Sequence, residues 1–415
     1  MVQVIVGGID DPLNNAADEY NSLMSGFSWV DAANAVNRYQ LIPCPGTLSN
    51  FAVELTGAPG TNPYRFTIYK NGVASALVTD VLAAATTGID SAHSVAVAAG
   101  DYVYIESSRP SGNPDNAPKA RWSCRFTPAN AGESIVMGNG YTSIAGALYG
   151  LVVSAAGQST GTEEEAYQII PTGGTLRDLY VRLHAAPGPD DTDGFTVKLR
   201  VDGADSDDGV GNPLSVTITK ADGQAGSDTA HNIAVVAGNY VDIEMDIADT
   251  PTSALVAAWG MVFAPTIDGE SIIMGGTGAS PDDAAVRYHE VLGTYHGSSW
   301  DAAENPVQQL MADVILRKFY VMLQTAPGVG NTLTFDIRKN GPASTGIQVA
   351  ITGAATSGND TAHTYTAADY DELDLMVTPD STPSVGRCFW GLVTYNAAVP
   401  PRASNASRLI AAGFM

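Results

Sequence analysis

The stretch Ser94–Glu106, SVAVAAGDYVYIE, decides how the chain is read, because it occurs three times. It returns as Asn232–Glu244, NIAVVAGNYVDIE, and in eroded form as Thr364–Met376, TYTAADYDELDLM. Each copy alternates apolar with small or polar residues, turns through a short Ala/Gly/Asp segment and alternates again. Side chains on a strand point to opposite faces with period two, so the pattern predicts a β-hairpin with one buried face. The same lead-in precedes every copy: Ser91-Ala92-His93, Thr229-Ala230-His231 and Thr361-Ala362-His363. The histidines are 138 and 132 residues apart, the size of a domain and far beyond a solenoid unit of roughly 20–50 residues.

At 415 residues the chain exceeds the roughly 250–300 at which a single core splits. The repeats divide it into 1–131, 132–268 and 269–398, with a tail at 399–415. Repeats two and three open almost identically, with Gly132–Gly138 (GESIVMG) and Gly269–Gly275 (GESIIMG), and the first opens with the looser Val2–Gly7. The joints lack a Ser/Gly spacer, so neighbouring domains are expected to pack in a fixed relation.

Within each repeat the strands can be followed by their turns. Phe51, Val53 and Leu55 match Leu179, Val181 and Leu183, then Phe319, Val321 and Leu323, each set facing a core with period two. Ala-Pro-Gly follows at residues 58, 186 and 326. A Phe-rich strand then ends at Asn71-Gly72, Asp202-Gly203 or Asn340-Gly341, and both residues of such a pair tolerate the left-handed conformation of a tight hairpin. A Thr-rich strand and the repeated stretch come next, and a last strand carries Trp122, Trp259 or Trp390. About eight strands in ~130 residues predict an all-β chain of three tandem antiparallel β-sandwich, jelly-roll-like domains. An immunoglobulin-like sandwich is the alternative, but its Cys…Trp…Cys framework is missing. Helix is expected only as single turns, at Asp31–Val36 and Ser280–Tyr288.

Net charge is −24, with 20 Lys and Arg against 44 Asp and Glu. A basic stripe for nucleic acid is absent and an anionic membrane would repel the chain, so neither is expected as a partner. Cys44, Cys124 and Cys388 form no repeat-wise framework and read as buried free thiols of a reducing cytosol. The opening MVQVIVGGIDD has neither the basic segment nor the long apolar core of a secretory signal. No apolar run reaches the ~18 residues of a membrane span.

Signals of chemistry are weak. His289 and His296 are seven residues apart, whereas a zincin needs its histidines on one helical face four residues apart. His93, His231 and His363 follow Asp90, Asp228 and Asp360 at one offset; a proton-transfer pair is the sharp reading, and a turn that hydrogen-bonds locally is the plainer one. The acidic loops Pro189–Gly194 and Asp202–Gly209 hold oxygen ligands near glycine but fit no calcium-loop template. No catalytic residue, cofactor or metal is therefore predicted. The divergent segments at one position of each repeat carry aromatics, and divergent loops on a shared scaffold are where contacts usually reside. Tyr20, Phe27, Trp29, Tyr141, Tyr149, Tyr288, Tyr295 and Trp300 are the candidate binding residues, with core filling as the competing expectation. In the tail, Leu409, Ile410, Phe414 and Met415 are apolar enough to dock on a neighbour during assembly.

The Ala-Pro-Gly corner, Lys70-Asn71-Gly72 and Lys339-Asn340-Gly341, Val97–Asp101 (VAAGD) and Ile351–His363 (ITGAATSGNDTAH) together resemble the jelly-roll domains of tailed-bacteriophage virion proteins: fibre, head-decoration and appendage proteins. Related modules occur in bacterial surface proteins. The likeness spans about 48–122, 176–259 and 316–390. It implies a non-enzymatic structural protein of the virion, made in the host cytoplasm, that self-associates as a homo-oligomer and contacts other virion proteins. A module binding glycans on a host surface, or a bacterial surface or filament subunit, is the alternative. Tyr370 in place of the turn glycine, and Asn239 in place of the turn aspartate, mark where the copies have diverged.

Overall fold

The computed structural model describes residues 2–140, 142–155, 159–249, 255–293, 299–304 and 309–396. In the first repeat the strands are β1 (Gln3–Pro12), β2 (Glu19–Asn21), β3 (Gln40–Leu41), β4 (Gly46–Leu55), β5 (Tyr64–Lys70), β6 (Val73–Val81), β7 (Thr87–Val97), β8 (Tyr102–Ser108) and β9 (Lys119–Pro128). They form two antiparallel sheets, in the orders β1-β9-β4-β7 and β2-β8-β5-β6, with β3 also on β8. Counting β2 and β3 as one interrupted strand, this is the eight-strand order of a jelly roll. Six sheets follow one another along the chain as three such pairs. In the second pair Ser134–Asn139, Ala257–Pro265, Gly174–Leu183 and Ala225–Val235 take the places of β1, β9, β4 and β7. In the third those places belong to Glu270–Thr277, Cys388–Tyr395, Val314–Leu323 and Ser357–Ala367.

The alternating stretch that was expected to be a hairpin is not one. β7 pairs with β4 in one sheet while β8 pairs with β5 and β2 in the other, so Ala98–Asp101 is an arch that carries the chain across the sandwich. Alternation reports that one face of each strand is buried. It is silent on which strand lies alongside. Asn71-Gly72 does join paired strands, β5 and β6, with φ of 51° and 78°. Of the two expected helical turns, residues 32–38 form a 3-10 helix whose cap, Asp31, accepts from the Asn34 amide at 3.1 Å. Around Ser280–Tyr288 Asp282 instead closes a turn on the amides of Ala284 and Ala285, and a short strand, Arg287–His289, follows.

Hairpin and arch are tied together, and the tie explains one divergence. Asn71 Nδ2 donates to Asp101 at 2.6 Å, and Asn71 Oδ1 accepts from the Tyr102 amide at 2.9 Å. Asn340 and Asp371 repeat this at 2.7 Å. In the second repeat the residues are exchanged: Asn239 Nδ2 donates to Asp202 at 2.6 Å, and Asp202 accepts from the Tyr240 amide at 3.0 Å. One amide must face one carboxylate, and it does not matter which strand end supplies which. Asn71→Asp alone, placing two carboxylates face to face, is expected to cost about 1–2 kcal/mol. Adding Asp101→Asn is expected to restore stability to within about 0.5 kcal/mol, read as a double-mutant cycle by urea unfolding. An additive pair would refute the tie.

Asp90, Asp228 and Asp360 close the open side of each sandwich. Asp90 accepts from the amides of Ala92 and His93 on its own strand and, at 3.0 Å, from the Val78 amide on the other sheet. Asp228 reaches the Ser215 amide at 3.1 Å and Asp360 the Gln348 amide at 3.0 Å. Each histidine lies beside its aspartate, with Nδ1 2.8–3.0 Å from a carboxylate oxygen. Burial pushes these carboxyls up, but the amide and imidazole bonds outweigh it and leave all three below their ordinary value. A depressed carboxyl contributes stability above its unfolded pKa and loses it as the pH falls through the folded one. The local reading of the Asp/His repeat is therefore the one the geometry supports.

Each core is centred on its tryptophan. Trp122, Trp259 and Trp390 are fully buried and donate Nε1–H to the carbonyls of Leu23, Val152 and Val291 at 2.7–2.8 Å. Gly7, Gly138 and Gly275 sit opposite them in register, where any Cβ would overlap the indole. Cys44, Cys124 and Cys388 are buried free thiols. Burial pushes the first two up to about 12, which leaves them unreactive. No helix among the described residues is long and apolar enough to cross a membrane.

Candidate functional site

The three pairs of sheets are not strung out in a line. β3 packs on the strands Ser134–Asn139 and Ala257–Pro265 of the next repeat. Its equivalent Gln168–Ile169 packs on Glu270–Thr277 and Cys388–Tyr395, and Gln309–Leu310 packs back on β1 and β9. Each repeat thus uses the same short strand against the same two strands of a neighbour, and the third closes onto the first. A cyclic set results.

The glutamine opening that strand is fully buried in all three copies. Gln40 takes the Met24 amide at 2.8 Å, returns a bond to the Met24 carbonyl and sends another to Ser154 of the second repeat at 2.9 Å. Gln168 holds Val153 in the same way and reaches the Met274 carbonyl of the third repeat at 3.2 Å. Gln309 accepts from the Leu292 amide at 2.8 Å. A side-chain amide has donors and an acceptor to spend in two directions, so Gln40 and Gln168 each pin their own loop and a neighbouring repeat, whereas the Gln309 Nε2 is buried without a partner among the described residues and that glutamine holds its own loop alone. Close approach matters as well. Gly260, one residue after Trp259, faces the Leu41 carbonyl, and Gly391, after Trp390, faces the Ile169 carbonyl; neither has room for a Cβ. Ser123 stands at that position in the first repeat.

The rest of each junction is individual. At the first, Gln3 exchanges two hydrogen bonds with Ile135 at 2.7 and 2.8 Å, Asn139 donates to the Tyr39 carbonyl at 2.9 Å, and Arg182 lies over the Tyr102 ring at 5.0 Å. At the second, Arg387 pairs with Glu165, Tyr167 meets Phe389 edge-on at 5.7 Å, and Thr172 donates to Glu270 at 2.6 Å. At the third, Arg121 pairs with Glu372, Arg125 pairs with Asp369 at 3.1 Å, and the Ser25 hydroxyl donates to the Gly293 carbonyl. Three junctions with one plan and different side chains favour a single order of repeats around the set.

The outer face of the β2-β8-β5-β6 sheet is individual at its centre, while Tyr149, Tyr167 and Tyr240 of the second repeat stand where Tyr20, Tyr39 and Tyr102 do. Tyr69 and Tyr104 face each other in register and stack at 5.1 Å. Tyr39 stacks on Tyr102 at 4.3 Å and on Tyr104 at 5.0 Å, while Tyr20 lies 5.9 Å from Tyr104 and 6.3 Å from Tyr69. The Tyr20 hydroxyl donates to Glu106 at 3.0 Å. In the second repeat the register partners equivalent to Tyr69 and Tyr104 are Arg200 and Asp242, and in the third they are Arg338 and Asp374. Arg200 there bonds Glu163 at 2.7 Å and Glu244 at 2.8 Å. Asp242 is fully buried beside this network, and burial, then Glu163, push its carboxyl well above the carboxylate range against the pull of Arg200. Such a group costs stability once the pH passes its unfolded value.

The aromatics singled out by sequence scatter. Trp29, 7% exposed, packs on Trp122 at 5.8 Å and Phe66 at 6.3 Å. Trp300, 8% exposed, packs on Trp390 at 5.9 Å and donates to the Ala279 carbonyl at 3.2 Å. Both are core residues and present nothing to a ligand, because the divergent segments fold back to cap the sandwich. Phe27 is half-buried under the Arg38 guanidinium, and Tyr149 under that of Arg200. Tyr288 is half-buried and its amide bonds the Asp301 carbonyl. Of the six that lie among the described residues, Tyr20 joins the tyrosine face of the first repeat, and Tyr149 and Tyr288 hold the same register position in the second and third. Tyr141, Tyr295 and the tail residues Leu409, Ile410, Phe414 and Met415 lie outside the described residues, as does His296. His289 is buried edge-on between Trp300 and Trp390, each at 5.1 Å. Asp207 and Asp208 are occupied by the amides of Gly209, Gly211, Val210 and Asn212. Among the described residues no three His, Cys, Asp or Glu side chains converge as a metal site.

Sequence reasoning missed the glutamines and the glycines after tryptophan, although both recur at one position of the repeat. No family model matches the sequence, and no curated protein matches it.

Proposed function

We propose that this chain is a non-enzymatic structural protein of a bacteriophage particle, a capsid-decoration, fibre or tail-appendage subunit that works through shape and surface contact. The observation that carries the reading is the closure of the third sandwich onto the first through the same Gln-containing strand that joins the others. One polypeptide thereby encloses what three copies of a single sandwich would otherwise assemble, with packed junctions between the repeats. A body of that kind suits a position in a larger symmetric assembly, where a fixed outline decides fit. The resemblance of the turn and corner residues to those of phage jelly-roll domains supports the same reading. Its home in this reading is the virion, assembled from subunits made in the host cytoplasm.

The test is mass spectrometry of washed phage particles from cells carrying the gene, paired with negative-stain imaging of the isolated chain. The expected results are its peptides in the particle fraction and a compact three-lobed outline for the free protein. Peptides confined to the particle-free supernatant would sink the virion assignment.

A further inference from the structure

We propose that the tyrosine-covered sheet of the first sandwich is a binding site for a neutral polysaccharide chain. The site comprises Tyr20, Tyr39, Tyr69, Tyr102 and Tyr104, joined by ring contacts of 4.3–6.3 Å, with Glu106 at one end. It stands independently of the virion reading, because it concerns one sheet face and not the assembly.

The scaffold does not need tyrosine at the centre of this face. At the two register positions in the middle of the face, the second and third repeats fold with Arg and Asp. Tyr20, Tyr39 and Tyr102 have counterparts in the second repeat, Tyr149, Tyr167 and Tyr240, and Tyr20 has one in the third, Tyr288; the central pair Tyr69 and Tyr104 is particular to the first repeat, and it turns a charged centre into a continuous aromatic face that the scaffold itself does not require. Tyr20, Tyr39, Tyr69 and Tyr102 remain half-exposed, while Tyr104 forms the buried floor.

The chemistry of the face selects the occupant. A tyrosine ring offers an apolar body and a hydroxyl tip, which match the C–H faces and the hydroxyl rim of a sugar. Burial, then Glu106 and Asp18, raise the Tyr20 and Tyr69 hydroxyls, so they stay protonated, with the Tyr20 proton held by Glu106 and its oxygen lone pairs open to a sugar hydroxyl. Glu106 is a carboxylate acceptor for sugar hydroxyls. The charge disfavours polyanions: Glu106 and Asp18 act at the Tyr20 end of this face, Arg182 stands at the other end over Tyr102, and the chain as a whole carries −24. Nucleic acids, anionic lipid surfaces and acidic glycans would all be repelled. A neutral glycan keeps the stacking and hydrogen bonds without that penalty.

The test is affinity electrophoresis of the full chain in native gels containing dextran, hydroxyethylcellulose, galactomannan or yeast mannan. Retardation by at least one of the four is expected. Tyr20→Ala with Tyr69→Ala is expected to weaken it about tenfold or more, as truncating central aromatic anchors usually does. A second variant guards against simple misfolding: Tyr69→Arg with Tyr104→Asp installs the pair that the second repeat already folds with, and it should abolish retardation while the far-ultraviolet circular dichroism and the cooperativity of unfolding stay those of the parent. No retardation by any of the four polymers overturns the proposal. So does retardation that survives Tyr69→Arg with Tyr104→Asp. Loss of a self-associated species in sedimentation of the variants, without any change in retardation, also overturns it and assigns the face to a second copy of the chain.

Discussion

Replacing Trp259 by alanine is expected to cost the second sandwich about 3–5 kcal/mol, the usual range for deleting a large buried aromatic. The indole is fully buried, and Gly138 lies directly against it with no side chain to move into the void. The loss also orphans the Val152 carbonyl, which accepts the Nε1–H at 2.8 Å. Against a typical domain stability of about 5–15 kcal/mol, this is enough to give the second sandwich its own early transition. Differential scanning calorimetry should show a low-temperature shoulder for Trp259→Ala. Trp259→Phe should fall between it and the parent, since it fills most of the volume but cannot donate. A single unshifted transition would mean that the indole is not the centre of its core.

Gly260→Val is expected to force the first junction apart while leaving each sandwich folded. The new Cβ would overlap the Leu41 carbonyl of the neighbouring repeat, a backbone atom that has no rotamer to escape into. Overpacking of this kind costs about 1–3 kcal/mol, and here the strain is relieved by displacing β3 and its Gln40 bond to Ser154. Small-angle scattering should report a larger radius of gyration. Limited proteolysis should newly cut between Pro128 and Ser134, where the first repeat passes into the second. The far-ultraviolet circular dichroism should be unchanged. Gly57→Ala, at a glycine with open space around its Cβ position, should alter neither scattering nor cleavage. If Gly260→Val keeps the parent's dimensions and cleavage pattern, the close approach is not what sets the repeats together.

Much of the fold was legible because it rests on local rules. Period-two alternation marked the strands, and Asn71-Gly72, with both residues left-handed, marked a true hairpin. The repeat itself exposed the buried tryptophans, whose spacing follows the copies of the core. Ser94–Glu106 shows the limit of that reading. Its two halves alternate as a hairpin would, yet they belong to different sheets, because strand pairing in a sandwich is a long-range choice between faces that local sequence describes equally well. The loop aromatics show it again: Trp29 and Trp300 look like contact residues in a divergent segment and are core, since only the folded chain brings Trp122 and Trp390 beneath them.

By itself, then, the sequence determined the class of structure, the number of times its pattern recurs, the positions of the Asn-Gly and Asp-Gly hairpin turns and the identity of the central indoles. All of these depend on residues within a few places of one another or on plain repetition. The tertiary structure alone decided that the third sandwich returns to the first, and that tyrosines at 20, 39, 69, 102 and 104 share one face. The physical reason is the same in both cases: such contacts join residues far apart in the chain through register and packing, and a recurring glutamine or a tyrosine does not by itself say which strand it will meet.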